Sequence, residues 1–368
     1  MRSTAIDRRT FLALAGGALF APATAGAAEE ALFLGARLNG ASYEAAVMDE
    51  QGRDRLVLPL EARGHSFAID APRRRAVAFA RSPGRFAVAF DVDGGTEPLA
   101  IASMPGRHFF GHGVFTPDGK LMLATENDLD GGRGVMGIYD ATDAFRRIGE
   151  FPTEGVGPHE AVLLRDGKTL CIANGGILTH PDYGGAKLNL ATMAPNLTYV
   201  DVASGNAMEK VSLAPELHQL SIRHMAIDRA GHVWFGCQYE GPASDRPPLV
   251  GRHRRGREIE LFPGPREILH GLRNYVGSVA IDASGSVLAT SSPHGGLIAF
   301  WDTATGRSLG QQPLADGCGV APAAAETVLA TSGRGAIVMA GPAGSNPIRD
   351  EGAGQPAWDN HLRRLWSY

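Results

Sequence analysis

"PHEAVLLRDGKTLCIAN", residues 158–174, is the stretch on which the fold reading turns. An apolar run follows His159, the turn Arg165-Asp166-Gly167 interrupts it, and a second apolar run ends at Asn174. Two short apolar runs around a D-G turn predict two antiparallel strands, the first of them buried. The phrase recurs as "GHSFAIDAPRRRAVAFA" (64–80), "GHGVFTPDGKLMLATEN" (111–127), "RHMAIDRAGHVWFGCQY" (223–239), "GSVAIDASGSVLATSSP" (277–293) and "CGVAPAAAETVLATSGR" (318–334). Several copies run on into a third strand closed by aspartate and a glycine turn, as in "LTYVDVASG" (197–205) and "IAFWDTATG" (298–306).

A period on the order of 40 to 65 residues is that of propeller blades. The ends of the chain complement each other. "NHLRRLWSY" (360–368) supplies an inner strand alone, whereas "ALFLGARL", "SYEAAVMD" and "DRLVLPL" (31–60) supply three strands without an inner one. Pairing them completes a blade and removes the open sheet edge. The sequence therefore predicts an all-β, seven-bladed β-propeller over residues 28–368, its ring closed by N-terminal strands on the C-terminal inner strand.

The segment before residue 28 reads differently. "DRRTFLALAGGALFAPATAGAAEE" (7–30) carries Arg8 and Arg9, an uncharged run and an Ala25-Gly26-Ala27 cleavage pattern. It resembles a twin-arginine export signal, lacking only a lysine where Ala13 stands. The resemblance implies removal of residues 1–27 and, in a Gram-negative cell, a periplasmic protein. Such export commonly passes folded proteins that already hold a cofactor. No later stretch has the length of a membrane span.

The formal net charge is −4, and loss of Arg2, Arg8, Arg9 and Asp7, a net +2, leaves −6. A mildly acidic chain argues against nucleic acid or anionic lipid as partner, and the basic run "RHRRGRE" (252–258) reads as a solvated loop. Cys171, Cys237 and Cys318 form no C-x-x-C, which excludes a covalently attached c-type haem and a compact zinc knuckle. Buried packing accounts for all three.

In a propeller the innermost strand of each blade lines the axis. His65, His112, His159, His224 and His361 occupy its start in five blades, with Ser278 and Cys318 in the other two. Converging imidazoles cannot all be protonated, and neutral ones facing each other need a common acceptor of their lone pairs. A transition metal supplies it, iron favoured and copper or zinc as alternatives. The competing reading is a set of capping histidines that fasten blade to blade.

Second-strand ends add Glu126, Asn127, Asp128, Asn174, Gln238, Glu240 and His294; Glu126 and Asn174 are the expected assistants at the site. Arg223 is placed to bind a carboxylate or oxyanion at the rim. Strand alternation turns Glu160 away from His159, so its expected role is to hold a loop or orient a ring. His180 lies in a loop insertion over the mouth, and His232, His253 and His270 read as structural.

Three stretches, "FFGHGVFTPDGKLMLATEND" (109–128), "GVGPHEAVLLRDGKTLCIANGGILTHPDYG" (155–184) and "LSIRHMAID" (220–228), resemble the DUF1513 family of exported seven-bladed propellers. The likeness covers the mature chain. Members tend to be encoded beside imelysin-like proteins and a di-haem oxidoreductase in iron-uptake clusters, which implies periplasmic iron handling with such partners. "HGVFTPDGKLMLAT" (112–125) is also similar to 6-phosphogluconolactonase-type propellers, which would imply metal-assisted lactone hydrolysis with Arg223 steadying the oxyanion. The histidine ring is similar to that of nitrous oxide reductase, but the cupredoxin domain and its cysteine motif are lacking. A metal carrier is the preferred reading; a hydrolase or non-haem redox enzyme and an interaction scaffold are the alternatives.

Overall fold

The computed structural model describes residues 30–365; the stretch 1–27 that reads as an export signal, residues 28 and 29 and residues 366–368 lie outside them. Twenty-eight strands among the described residues form seven four-stranded antiparallel sheets. Their inner strands are β4 (Gly64–Asp70), β8 (Arg107–Phe115), β12 (Pro158–Leu163), β16 (Leu220–Ile227), β20 (Ser278–Ile281), β24 (Gly317–Pro322) and β28 (Ala357–Arg364). Each touches the next, and β28 touches β4, so the ring is complete.

The composite blade has the expected order: β28 pairs with β1 (Leu32–Asn39), then β2 (Ser42–Asp49) and β3 (Asp54–Leu60) follow. Phe33 opposes Arg364 and Arg37 opposes Trp358 across the closure. Apolar side chains fill the spaces between blade faces. Phe79 of one blade meets Phe109 of the next at 5.6 Å between ring centroids, and Trp234 and Trp301 are fully buried. Each such side chain contributes about 1.5–3 kcal/mol by leaving water, which holds neighbouring blades face to face. No helix among the described residues is long and apolar enough to cross a membrane.

Six of the seven inner strands depart from regular pairing beside the axis. His65 and Ser66 together oppose Phe79 alone, and Phe110, Gly111 and His112 oppose Thr125 alone. His159 and Arg223 are the extra residues of β12 and β16. On β28, Asp359, Asn360 and His361 all oppose Ala36, and β24 bulges at Cys318–Gly319. Only β20, whose axial residue is Ser278, keeps an unbroken register. A bulge breaks the in–out alternation and lets consecutive side chains share one face. Every histidine-bearing inner strand thus bulges at or next to its histidine.

Candidate metal centre

The bulges gather five buried imidazoles on the axis. Ring centroids lie 4.5 Å apart for His65 and His361, 4.6 Å for His112 and His361, and 4.7 Å for both His159–His224 and His224–His361. His65–His112 and His112–His159 are at 5.1 Å. One ligand atom each from His65, His112, His159 and His361 falls within 4.8 Å of all the others. A second group, His112, Glu160 and His224, meets the same limit. The Nε2 atoms of His112, His159, His224 and His361, together with Nδ1 of His224, are buried without a hydrogen-bond partner.

Two carboxylates stand behind the rings. His65 Nδ1 donates to Asp359 Oδ1 at 3.1 Å, which leaves its Nε2 lone pair free. Arg63 and Arg81 neutralise Asp359 from the mouth side. Glu160 accepts from the Met225 amide at 2.9 Å and pairs with Arg363. Its oxygens lie 3.9 Å from His112 Nδ1 and 3.8 Å from His224 Nδ1. A carboxylate behind an imidazole that faces a metal is the usual arrangement for fixing tautomer and orientation.

Burial lowers the pKa of all five rings, only partly offset by Asp359 at His65 and by Glu160 at His112 and His224; His224 falls to about 4. Burial works the other way on Glu160 and Asp359. Arg363 with the adjacent imidazoles, and His65 with Arg81 and Arg63, outweigh it and hold both well below the ordinary carboxylate range. At neutral pH the centre is therefore a cluster of neutral nitrogen donors backed by two anions. Such donors suit iron, copper, zinc or nickel, and no cysteine is among them. Cys318 hangs beside Asp316 instead, and Ser278 accepts from the Val320 amide.

All five ring histidines named from the sequence come together. Glu126 and Asn174 do not join them. Burial raises the Glu126 pKa, yet Tyr139 Oη donates to it at 2.5 Å and Arg147 at 2.8 Å, out along the blade. Gly137 makes room for this carboxylate, since a Cβ there would lie 2.1 Å from it. Asn174 donates to Thr153 O at 2.7 Å and Asn196 Oδ1 at 2.9 Å, tying strands within and beside its blade. Glu126→Ala is expected to lower stability by about 1–3 kcal/mol, because it leaves the buried Tyr139 hydroxyl without its acceptor while Arg147 keeps Glu150, and to leave metal content unchanged. Urea unfolding and elemental analysis check both halves.

Arg223 lies beside the ring, its side chain 14% exposed. Its Nε donates to Ser221 at 2.9 Å, Nη1 lies 3.3 Å from His159 Nδ1, and Nη2 lies 3.6 Å from Glu240. Asn127 faces His108, Asp128 is held by Arg107 and Arg133, and Gln238 donates to Val276 O. His294 packs at a tilt against Tyr275 with ring centroids 4.1 Å apart, and Tyr275 Oη accepts from Asn360. His180 caps the short turn Pro181–Tyr183 through Nδ1 rather than reaching the ring. His232 and His253 bond to Asp228 and Tyr199, and His270 lies on the short helix Arg266–Gly271.

The alternation expected to turn Glu160 outward is undone by the bulge at His159, so His159 and Glu160 both reach the axis. Asp359 and Arg363 were not read from the sequence. Arg363 lies two residues after His361, the same-face spacing of a strand, and that spacing was the available signal; Asp359 falls within the bulge, where alternation gives none.

A family model described as "Protein of unknown function (DUF1513)" matches residues 58–365. No curated protein matches the sequence. Among solved structures, hydrazine synthase of Kuenenia stuttgartiensis is similar at TM-score 0.56 and 12% identity, over 85% of this chain and 96% of that one. The structure of U3-55K gives TM-score 0.57 and 11% identity, over 79% of this chain and 82% of that one. A chain of the mitotic checkpoint complex gives TM-score 0.52 and 12%, over 77% and 75%. At these identities the likeness concerns the fold alone.

Proposed function

The chain belongs to the DUF1513 family, and we propose from its axial chemistry that it binds a transition-metal ion as cargo in the five-histidine cluster. Iron is the favoured metal, with copper or zinc as alternatives. The observation that carries this reading is the set of converging, buried imidazole nitrogens that lack hydrogen-bond partners. Each unpartnered buried polar atom costs about 1–3 kcal/mol. A metal that accepts the lone pair of such a nitrogen removes that cost; at His112 and His159, whose Nδ1 faces an arginine that can only donate, ligation through Nε2 goes with the ring proton moving to Nδ1 and that contact being given up. A blade-fastening role would have spent those nitrogens on loop carbonyls.

The donor set favours a carrier over an enzyme. Catalytic metals keep a coordination position open to substrate, and here the donors close in from five blades with none of the five exposed. Together with the twin-arginine-like segment, this supports handling of iron in the periplasm, with imelysin-like proteins and a di-haem oxidoreductase as the partners to test. Protein exported in its native compartment and purified without chelator is expected to contain near-stoichiometric metal by elemental analysis. Absence of metal, even after iron(II) is offered anaerobically, would overturn the reading.

Asp359 gives a finer test. Asp359→Asn keeps the size of the side chain but removes the charge that fixes His65. Metal affinity is expected to fall about 10- to 100-fold, the usual effect of losing such a partner. A competition titration against a chelator of known affinity reads it directly.

A further inference from the structure

Beside the ring the protein supplies a cation of its own, Arg363, against residues of three other blades. Arg363 follows His361 by two residues on β28, which places it on the same face and about 7 Å further along the axis. Its Nε donates to Ser66 Oγ at 3.2 Å. Its Nη2 pairs with Glu160 and lies 3.4 Å from His112 Nδ1. Two of the three members of the lower donor group, His112, Glu160 and His224, therefore already face a guanidinium. Glu160 is buried, and its other oxygen takes the Met225 amide.

We propose that Arg363 is a built-in cation that fills the donor group of His112, Glu160 and His224, the lower group, and so limits the centre to one metal ion in the four-histidine, upper group. This deepens the metal-binding reading and rests on it. The physical reason is charge. Without Arg363, a buried anion backed by two imidazoles would be a second site for a divalent ion; with it, that anion is compensated and a second ion meets like charge at close range. Arginine suits the position because it offers several donors in a fixed plane. The His112 ring links the two levels, since its Nε2 belongs to the unpartnered set and its Nδ1 faces the guanidinium.

Cobalt(II) provides the probe, because its visible absorption reports each ion bound by nitrogen and oxygen donors. Titrated to saturation, the wild-type protein is expected to take about one equivalent, Arg363→Lys about one, and Arg363→Gln about two. Two equivalents in the wild type, or one in folded Arg363→Gln, would overturn the plug while leaving the metal-binding reading intact. No cobalt in the wild type would remove both. The wild-type stoichiometry stands as a test even where Arg363→Gln does not fold.

Discussion

Alanine at His112, His159 and His224 together is expected to reduce bound metal to less than about a tenth of the wild-type content, in a protein that still folds. Metal is lost because the substitution takes two members from the four-histidine group and two of three from the lower one. Folding survives because these rings contribute little to the propeller's own bonding. The substitution deletes four buried nitrogens that have no partner, each costing about 1–3 kcal/mol. Against that stands the cavity left by each lost ring, about 2–5 kcal/mol for large-to-small changes in a core. The two effects are of the same size and opposite sign, so circular dichroism and urea unfolding of the metal-free proteins should show a modest difference. Elemental analysis of the folded variant decides the matter: wild-type metal content would mean the ion sits elsewhere, and a variant without metal that unfolds far more easily than metal-free wild type would mean the rings are fasteners.

The propeller was legible because its repeat is a matter of period and turn chemistry, both of which are local. The composite blade followed from complementary chain ends, and Phe33 and Arg37 pair with β28 as that argument requires. The ring of histidines was legible for the same reason: a position repeated in register across blades converges wherever the inner strands converge. What the repeat could not give was the departure from regular pairing. Glu160 was assigned an orienting role on the ground that alternation turns it away; it stands behind His112 and His224 because a bulge turns it inward. Bulges depend on how a strand meets both its partner and the axis, and no tripeptide announces them.

Glu126 and Asn174 illustrate the opposite error. Both end second strands, where proximity to the mouth suggested ligation. Proximity along the chain does not set direction, and each lies on the side of its sheet facing outward partners, Arg147 with Tyr139 and Asn196 with Thr153. A buried carboxylate already bonded to Tyr139 and Arg147 belongs to the blade. Asp359 and Arg363 were hidden by the brevity of the final phrase, whose seven residues after His361 look like a tail rather than half a site.

The metal-free protein should lose stability steeply as the pH falls from 6.5 towards 4. A histidine held below its ordinary pKa in the folded state favours folding fully above pH 6.5. That contribution is lost as the pH drops, because the unfolded chain takes up protons that the buried rings refuse. For His224, lowered from 6.5 to about 4, the loss amounts to about 3 kcal/mol. All five rings are shifted the same way by the same burial, so the other four add to this loss in the same direction. Glu160 and Asp359, lowered rather than raised, keep their contribution through this window and lose it only at more acid pH, so the early loss belongs to the histidines. Urea midpoints measured at half-unit intervals should fall sharply below pH 6.5 in metal-free wild type and much less in the triple-alanine protein. Bound metal competes with protons for the same lone pairs, so the loaded wild type should hold its midpoint to lower pH than the metal-free form. A flat profile from 6.5 to 5 in the metal-free wild type would mean that the native rings accept protons freely, which a cluster of buried, unpartnered imidazoles cannot do.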